Sequence, residues 1–218
     1  MSKDMASKLD IVIVGAGGFG REVYGWAKQS FAKDAYQFKG FLDKDNQSLD
    51  GFNLGLSVLG SEDDYVVQAN DRFLLAVGDV DIKKKIVLKL KEKGAQFLTM
   101  IHPTALVIDT ATIGEGVVIC PFATVSGWVV LGDFVMMNMY ASCGHDAKVG
   151  KYSILSPYCI VNGVGTVGEQ VFLGSHSTVA RLKTVGNNSK VSANSAVLQD
   201  VPPRAFVVGV PGVAKVIF

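Results

Sequence analysis

The sequence is short of most features that mark specialised protein classes. Surplus charge is almost absent: 21 Lys and Arg stand against 20 Asp and Glu, for a formal +1. So balanced a chain gives no sign of a polyanion partner such as nucleic acid. Cysteine is scarce, and Cys120, Cys143 and Cys159 are odd in number and lack metal-type spacing. They read as reduced core residues of a cytoplasmic protein, not as a disulfide framework. Only three histidines exist, His102, His145 and His176, and the first falls where two differently patterned regions meet. A zinc site built from three converging imidazoles is not expected, and no metal is. No apolar run approaches the length of a membrane span, and the opening residues 1–7 are polar with no apolar signal region behind them.

What the chain does have is a repeat of six. From Ile101 to Val197, seventeen consecutive steps of six land on an apolar residue, fifteen of them Ile, Leu or Val. Four residues after each step the side chain is usually small, as at Ala105, Ala123, Ala141, Ser153, Cys159, Gly165 and Ser177. Neither a helix nor a single strand gives that period, but a parallel β-helix does. Gly114, Gly132, Gly150, Gly168 and Gly186 follow an apolar residue at intervals of eighteen, so three hexads make one coil of triangular section. Seventeen hexads give almost six coils, stacked roughly 4.8 Å apart. The first residue of each hexad should point inward, and the third and fourth should project from a corner.

Residues 1–98 have another rhythm. An apolar strand, Asp10–Val14, runs into Gly15-Ala-Gly-Gly-Phe-Gly20 and then a helical stretch to about Phe31. A strand ending at Asp43, a helix near Glu62–Ala69, a strand Phe73–Val77 and a helix Ile82–Lys93 complete the alternation. That pattern predicts a small parallel α/β sheet of about four strands, followed over 99–218 by the β-helix and a tail. Three readings of the glycine string stand together. Its glycines could let a dinucleotide pyrophosphate approach a helix N-terminus, with Asp43 on the ribose. They could serve a smaller phosphate-bearing ligand, or only a tight strand–helix turn. The first reading would suit a nucleotide-binding oxidoreductase, but the region stops before a second nucleotide-binding half.

Taken together, Gly15–Gly20, Phe41-Leu-Asp43, Ala76-Val-Gly-Asp79, Ile101-His-Pro103, His145-Asp146 and Val208-Gly-Val-Pro211 resemble the PglD and NeuD type of bacterial sugar acetyltransferase. The resemblance covers essentially the whole chain. It implies a Rossmann-like head on a left-handed β-helix, acetyl-CoA as co-substrate, and a homotrimer.

The repeat allows corner columns to be read directly. One carries Glu115, Asp133, Lys151 and Glu169, which reads as a solvated edge. A second carries Pro121, Met139, Pro157, Ser175 and Ala193, with Phe122, Tyr140 and Tyr158 alongside, apolar enough to expect a covering partner. The third carries Asp109, Gly127, His145, Gly163 and Arg181, where His145 has glycine above and below. Acetyl transfer needs a base titrating near working pH, which suits His145, and Asp146 can hold its imidazole in the productive tautomer. The Gly163 backbone N–H, one coil on, is a candidate oxyanion donor. The resemblance gives His145, Asp146 and Gly163 these catalytic roles. It implies coenzyme contacts at Gly163, Ser175 and Ala193, and sugar-nucleotide contacts at Gly17, Gly18, Phe19, Asp43, Gly78 and Asn138. The family's second active-site histidine is here Ile154, Phe19 stands where many members have histidine, and the tail is altered after Pro211. The expected activity is acetyl-CoA-dependent N-acetylation of a nucleotide-linked amino sugar. Sugar O-acetylation is the alternative, and a non-catalytic β-helix scaffold belongs to a different class.

Overall fold

In the computed structural model, which describes residues 8–217, the chain packs as two units. One comprises the residues up to Val77 together with Lys85–Leu98, and the other comprises Gly78–Lys84 together with the residues from Thr99 onward. The expected head was continuous from 1 to 98, whereas residues 78–84 pack with the second unit.

The first unit is built on three parallel strands, β1 (Leu9–Val14), β2 (Tyr36–Leu42) and β3 (Asp71–Leu75), in the order β2-β1-β3. Ile11, Ile13, Phe41, Phe73 and Leu74 are fully buried, as the continuous apolar runs of a sheet covered on both faces require. Helix α1 (Gly18–Ser30) buries Val23 and Ala27. The sheet has three strands, not four. Nor is there a helix over residues 62–69, which form turns and irregular chain. The cause is a buried carboxylate: Asp71 accepts hydrogen bonds from the Tyr65 hydroxyl at 2.9 Å, the Gln68 amide at 2.8 Å and the Lys39 ammonium at 2.7 Å. Meeting those donors pulls residues 65–68 out of helical geometry, since leaving Asp71 unpaired inside would cost several kcal/mol. Helix α2 (Val80–Glu92) begins where Asp79 accepts from the amides of Asp81 and Ile82, an N-cap by a residue type suited to it.

The second unit is a parallel β-helix of two-residue strands running from β4 (Met100–Ile101) to β20 (Ala196–Val197). Strands inside the stack pair with those eighteen residues before and after them, so Met136 faces Val118 below and Ile154 above. The inward column is buried from Ile119 to Val197, including Leu131, Met137, Cys143, Leu155, Val161 and Val191, whereas at its lower end Val107 and Ile113 are half-buried and Ile101 is exposed. The fourth residue of every hexad from Phe122 to Asn194 has positive φ, between 54° and 64°, and none of these residues is glycine. The coil stack ends in an antiparallel hairpin, β21 (Ala205–Val208) with β22 (Val213–Val216). All three cysteines are buried and free, and burial pushes the Cys143 thiol up to about 12, which keeps it a neutral core residue. No helix among the described residues is long and apolar enough to cross a membrane.

Glu115, Lys151, Glu169 and Asn187 are exposed and Asp133 is half-buried, which is the solvated edge expected, but the column next to them is covered. Beside Asp133 and Lys151 stand Phe134 and Tyr152, stacked at 5.4 Å, and residues 78–84 lie against them. Lys83, fully buried, donates from Nζ to the carbonyls of Phe134 at 3.0 Å and Ser153 at 3.3 Å. No carboxylate shares this contact, and burial alone pushes the Lys83 amine down from 10.5 to about 7.

That environment sets a pH dependence. The unfolded chain keeps the Lys83 proton up to about 10.5, whereas the folded chain releases it near 7. Between those limits the unfolded state binds more protons, so stability rises with pH. Urea midpoints should therefore climb between pH 7 and 10 relative to Lys83→Met, which lacks the titrating group. Parallel pH curves for the two proteins would show that Lys83 stays charged when folded.

Candidate functional site

The glycine string of the first unit divides by role. A Cβ at Gly15, where φ is +102°, would lie 2.7 Å from the Ala76 carbonyl oxygen, and one at Gly20 would collide with the Gly15 carbonyl. These two glycines are demanded by strand–helix packing. Gly17 and Gly18 are exposed, and a Cβ at Gly17 would meet nothing within 4 Å. Gly17 caps α1 without a side-chain hydrogen bond, and the first turn carries no acidic residue. The start of α1 is therefore bare backbone with its amides outward, a setting that favours anions. Phe19 is half-buried and packs edge-on against Trp26. Asp43 holds the loop itself: its carboxylate accepts the Ala16 amide at 2.8 Å and the Asp45 amide at 3.0 Å. A ribose there would share oxygens already bonded to backbone.

In the second unit, His145 and Asp146 project from a corner with side chains 60% and 52% exposed, joined by a 2.7 Å contact between Nδ1 and Oδ2. A carboxylate can only accept, so Nδ1 carries the hydrogen, and in the neutral ring Nε2 presents its lone pair. The imidazole leans over the next coil, where a Cβ on Gly163 would stand 2.5 Å from Nε2. The absent side chain of Gly163 is thus what the ring occupies. The Gly163 N–H makes no hydrogen bond among the described residues, which leaves it available close to the ring. Three exposed apolar side chains share the adjoining column, Trp128, Val164 and Leu182, with Trp128 67% exposed. Sequence reading passed over them, although their position as fourth residues of the hexads flanking Asp146 was visible. They give the corner an apolar wall beside the base.

The other expected site residues are dispersed. Ser175 is half-buried and Ala193 exposed, and they occupy consecutive coils of the aromatic corner, where Asn194 donates its amide to the Ser175 carbonyl at 2.9 Å. Phe122, Tyr140, Tyr158 and His176 form a continuous stack there at 4.7–5.0 Å. Asn138 is half-buried and turns its Oδ1 to the Met139 amide. Gly78 is exposed, with nothing near its missing side chain. Ile154 is buried. His102 is buried too, its Nδ1 meeting Thr104 and its Nε2 unpaired. Among the described residues no cluster of three or more His, Cys, Asp or Glu could hold a metal ion.

Residues 10–90 match the PglD N-terminal domain family. A GDP-perosamine N-acetyltransferase of Escherichia coli O157:H7 is 25% identical over 138 residues, which make up 62% of this chain and 61% of that relative. The chain thus spans about three fifths of the length of that curated relative. Two solved structures share the fold from end to end. The acetyltransferase domain of PglB from Neisseria gonorrhoeae, in complex with acetyl coenzyme A, has a TM-score of 0.86 at 27% identity, covering 96% of this chain and 100% of that one. PerB from Caulobacter crescentus, in complex with CoA and GDP-perosamine, has a TM-score of 0.85 at 28% identity, covering 96% of this chain and 100% of its own.

The division of the glycines is open to a direct check. Gly20→Ala should destabilise the fold by about 1–3 kcal/mol, as overpacking does, lowering the melting temperature by several degrees. Gly18→Ala should leave it unchanged or slightly raised, because alanine suits a first helical turn and meets only the flexible Arg21 side chain at 3.8 Å. Calorimetry on the two variants, with equal losses in both, would refute the distinction.

Proposed function

We propose that this chain, a PglD-type head joined to a β-helix, is an acetyl-CoA-dependent N-acetyltransferase acting on the amino group of a nucleotide-linked amino sugar. The observation that carries the reading is the His145–Asp146 pair held over Gly163 at an exposed corner. The fold shared with structures holding acetyl-CoA, or CoA with GDP-perosamine, supports the donor and the class of acceptor.

In this reading the acceptor amine attacks the thioester carbonyl, and the carbonyl electrons move onto oxygen. His145 Nε2 takes the proton that the nitrogen sheds, while Asp146 steadies the imidazolium through Nδ1–H. The Gly163 N–H donates to the developing oxyanion. The intermediate then collapses with loss of the coenzyme thiolate, which the imidazolium can reprotonate. Trp128, Val164 and Leu182 shield the reacting carbonyl from water on one side. Ser175 and Ala193 serve the coenzyme. Within the first unit, Gly17, Gly18 and Phe19 are the nucleotide contacts of this reading, with Asp43 holding their loop; within the second, Gly78 and Asn138 are its sugar contacts.

The assembly belongs to the same reading: a homotrimer working in the cytoplasm, its subunits meeting along the exposed aromatic stack. Closed cyclic symmetry would cover that stack in every copy. Light scattering at micromolar concentration should give three times the chain mass of 23.2 kDa, and a stable monomer would overturn the trimer.

The chemistry is tested by free-thiol release from acetyl-CoA with a panel of nucleotide amino sugars. His145→Ala should lower kcat by about 10²–10⁴, the usual worth of a placed general base, while acetyl-CoA still binds. Asp146→Asn should cost less, because it polarises the base without taking the proton. An alanine variant with near-full kcat would remove His145 from the proton transfer.

A further inference from the structure

The corner column that starts with Phe134 and Tyr152 changes character as it climbs. Its lower rungs are aromatic, and they lie against residues 78–84 through Lys83 and through Lys84, whose ammonium is 5.9 Å from the centre of the Tyr152 ring. Its upper rungs are Gln170, Asn188 and Arg204, all at positive φ. Beside them opens a cavity of about 270 Å³, lined by Val80, Asp81, Gln170, Asn188, Lys190 and Arg204. Every one of these residues belongs to the second unit.

The near wall is tied together. Asp81 Oδ1 accepts from Gln170 Nε2 at 3.3 Å, and Gln170 Oε1 accepts from Lys84 Nζ at 2.6 Å. Both ends of the Gln170 amide are thereby committed, and Asp81 keeps Oδ2 for another donor. The far wall brings two cationic side chains, Lys190 and Arg204, to the same space with the Asn188 carboxamide. Among the described residues the Arg204 guanidinium and the Asn188 carboxamide make no hydrogen bond. Formally two cationic side chains and one carboxylate line this open cavity, a balance that favours an anion.

We propose that this cavity binds a small phosphorylated ligand at a site separate from the transfer chemistry. Arg204 offers the planar fork that fits two phosphate oxygens, Lys190 supplies the second positive charge, and Asn188 adds a neutral donor. The volume leaves room for an organic body, whose hydroxyl groups would donate to Asp81 Oδ2. His145 lies in a different corner column of the same prism, so occupancy here leaves its imidazole free. The site is therefore suited to an effector, not to the reacting thioester.

Isothermal titration of the full chain with glucose 1-phosphate and with inorganic phosphate as probes tests this. Saturable binding of glucose 1-phosphate, tighter than that of inorganic phosphate, is expected at millimolar concentrations or below. It should persist in His145→Ala and with saturating coenzyme A. It should weaken about tenfold or more in Arg204→Asn, which removes the charge-assisted bonds yet keeps a residue at ease with positive φ. Lys190→Ala gives a second variant outside the corner, with the same loss expected. Failure of glucose 1-phosphate to bind, binding no tighter than inorganic phosphate, displacement by coenzyme A, or indifference to both substitutions would each overturn the proposal.

Discussion

The second unit depends on one constraint: the chain must turn a corner every sixth residue and do so in register with the coil below. Each turn is made by a non-glycine residue in the left-handed region, from Phe122 to Asn194. For an L-residue that conformation costs roughly 1–2 kcal/mol. The cost recurs at every corner, so the gain must recur too. It comes from the unbroken ladder between coils and the column of buried Ile, Leu and Val inside the prism. Bulky corner side chains contribute where they stack on the coils above and below, as Phe122, Tyr140, Tyr158 and His176 do. A one-residue slip would turn the inward column outward, so the periodicity fixes the position of every projecting group.

The proposed catalytic pair is a direct consequence. His145 and Asp146 are the third and fourth residues of one hexad, and Asp146 is itself the left-handed corner residue, with φ of 61°. Aspartate tolerates that region better than most side chains. One residue thus makes the turn and orients the imidazole, while the backbone on either side is locked. The Val164 amide donates to the His145 carbonyl at 2.8 Å, and the Asp146 amide donates to the Gly127 carbonyl at 3.0 Å. The proposed base needs no mobile loop to bring it into place. Gly163 completes the arrangement by omission, since any side chain there would displace the ring.

How legible each part was follows from how local its cause is. The β-helix was readable because its cause repeats: the hexad at Ile119 is governed by the same packing as the hexad at Val191. Helices α1 and α2 were readable from their apolar spacing. The segment over residues 62–69 was misread because its fate depends on Asp71, whose buried carboxylate claims Tyr65 and Gln68. The charged column of Asp133 and Lys151 was legible as a solvated edge, but the covering of Phe134 and Tyr152 beside it was not. Lys83, which covers Phe134, lies 51 residues before it, and no periodicity links them. Asp43 shows a subtler case: the position was singled out, but its visible work is on the backbone of the glycine loop.

The substitution at Ile154 bears on the nature of the acceptor. The family resemblance implies a second histidine at this place, whereas Ile154 is buried and can neither donate nor accept a proton. In the proposed reaction His145 is the one imidazole at its corner, with Asp146 and the Gly163 amide beside it. An amine makes modest demands on such a site. Its proton becomes strongly acidic only once the nitrogen has bonded to carbon, and a neighbouring imidazole can then remove it. A hydroxyl must lose its proton as it attacks, which asks more of the base and of whatever steadies the resulting charge. Under the proposed mechanism, one exposed imidazole and a single candidate oxyanion donor favour the nucleophile that needs less, which is nitrogen.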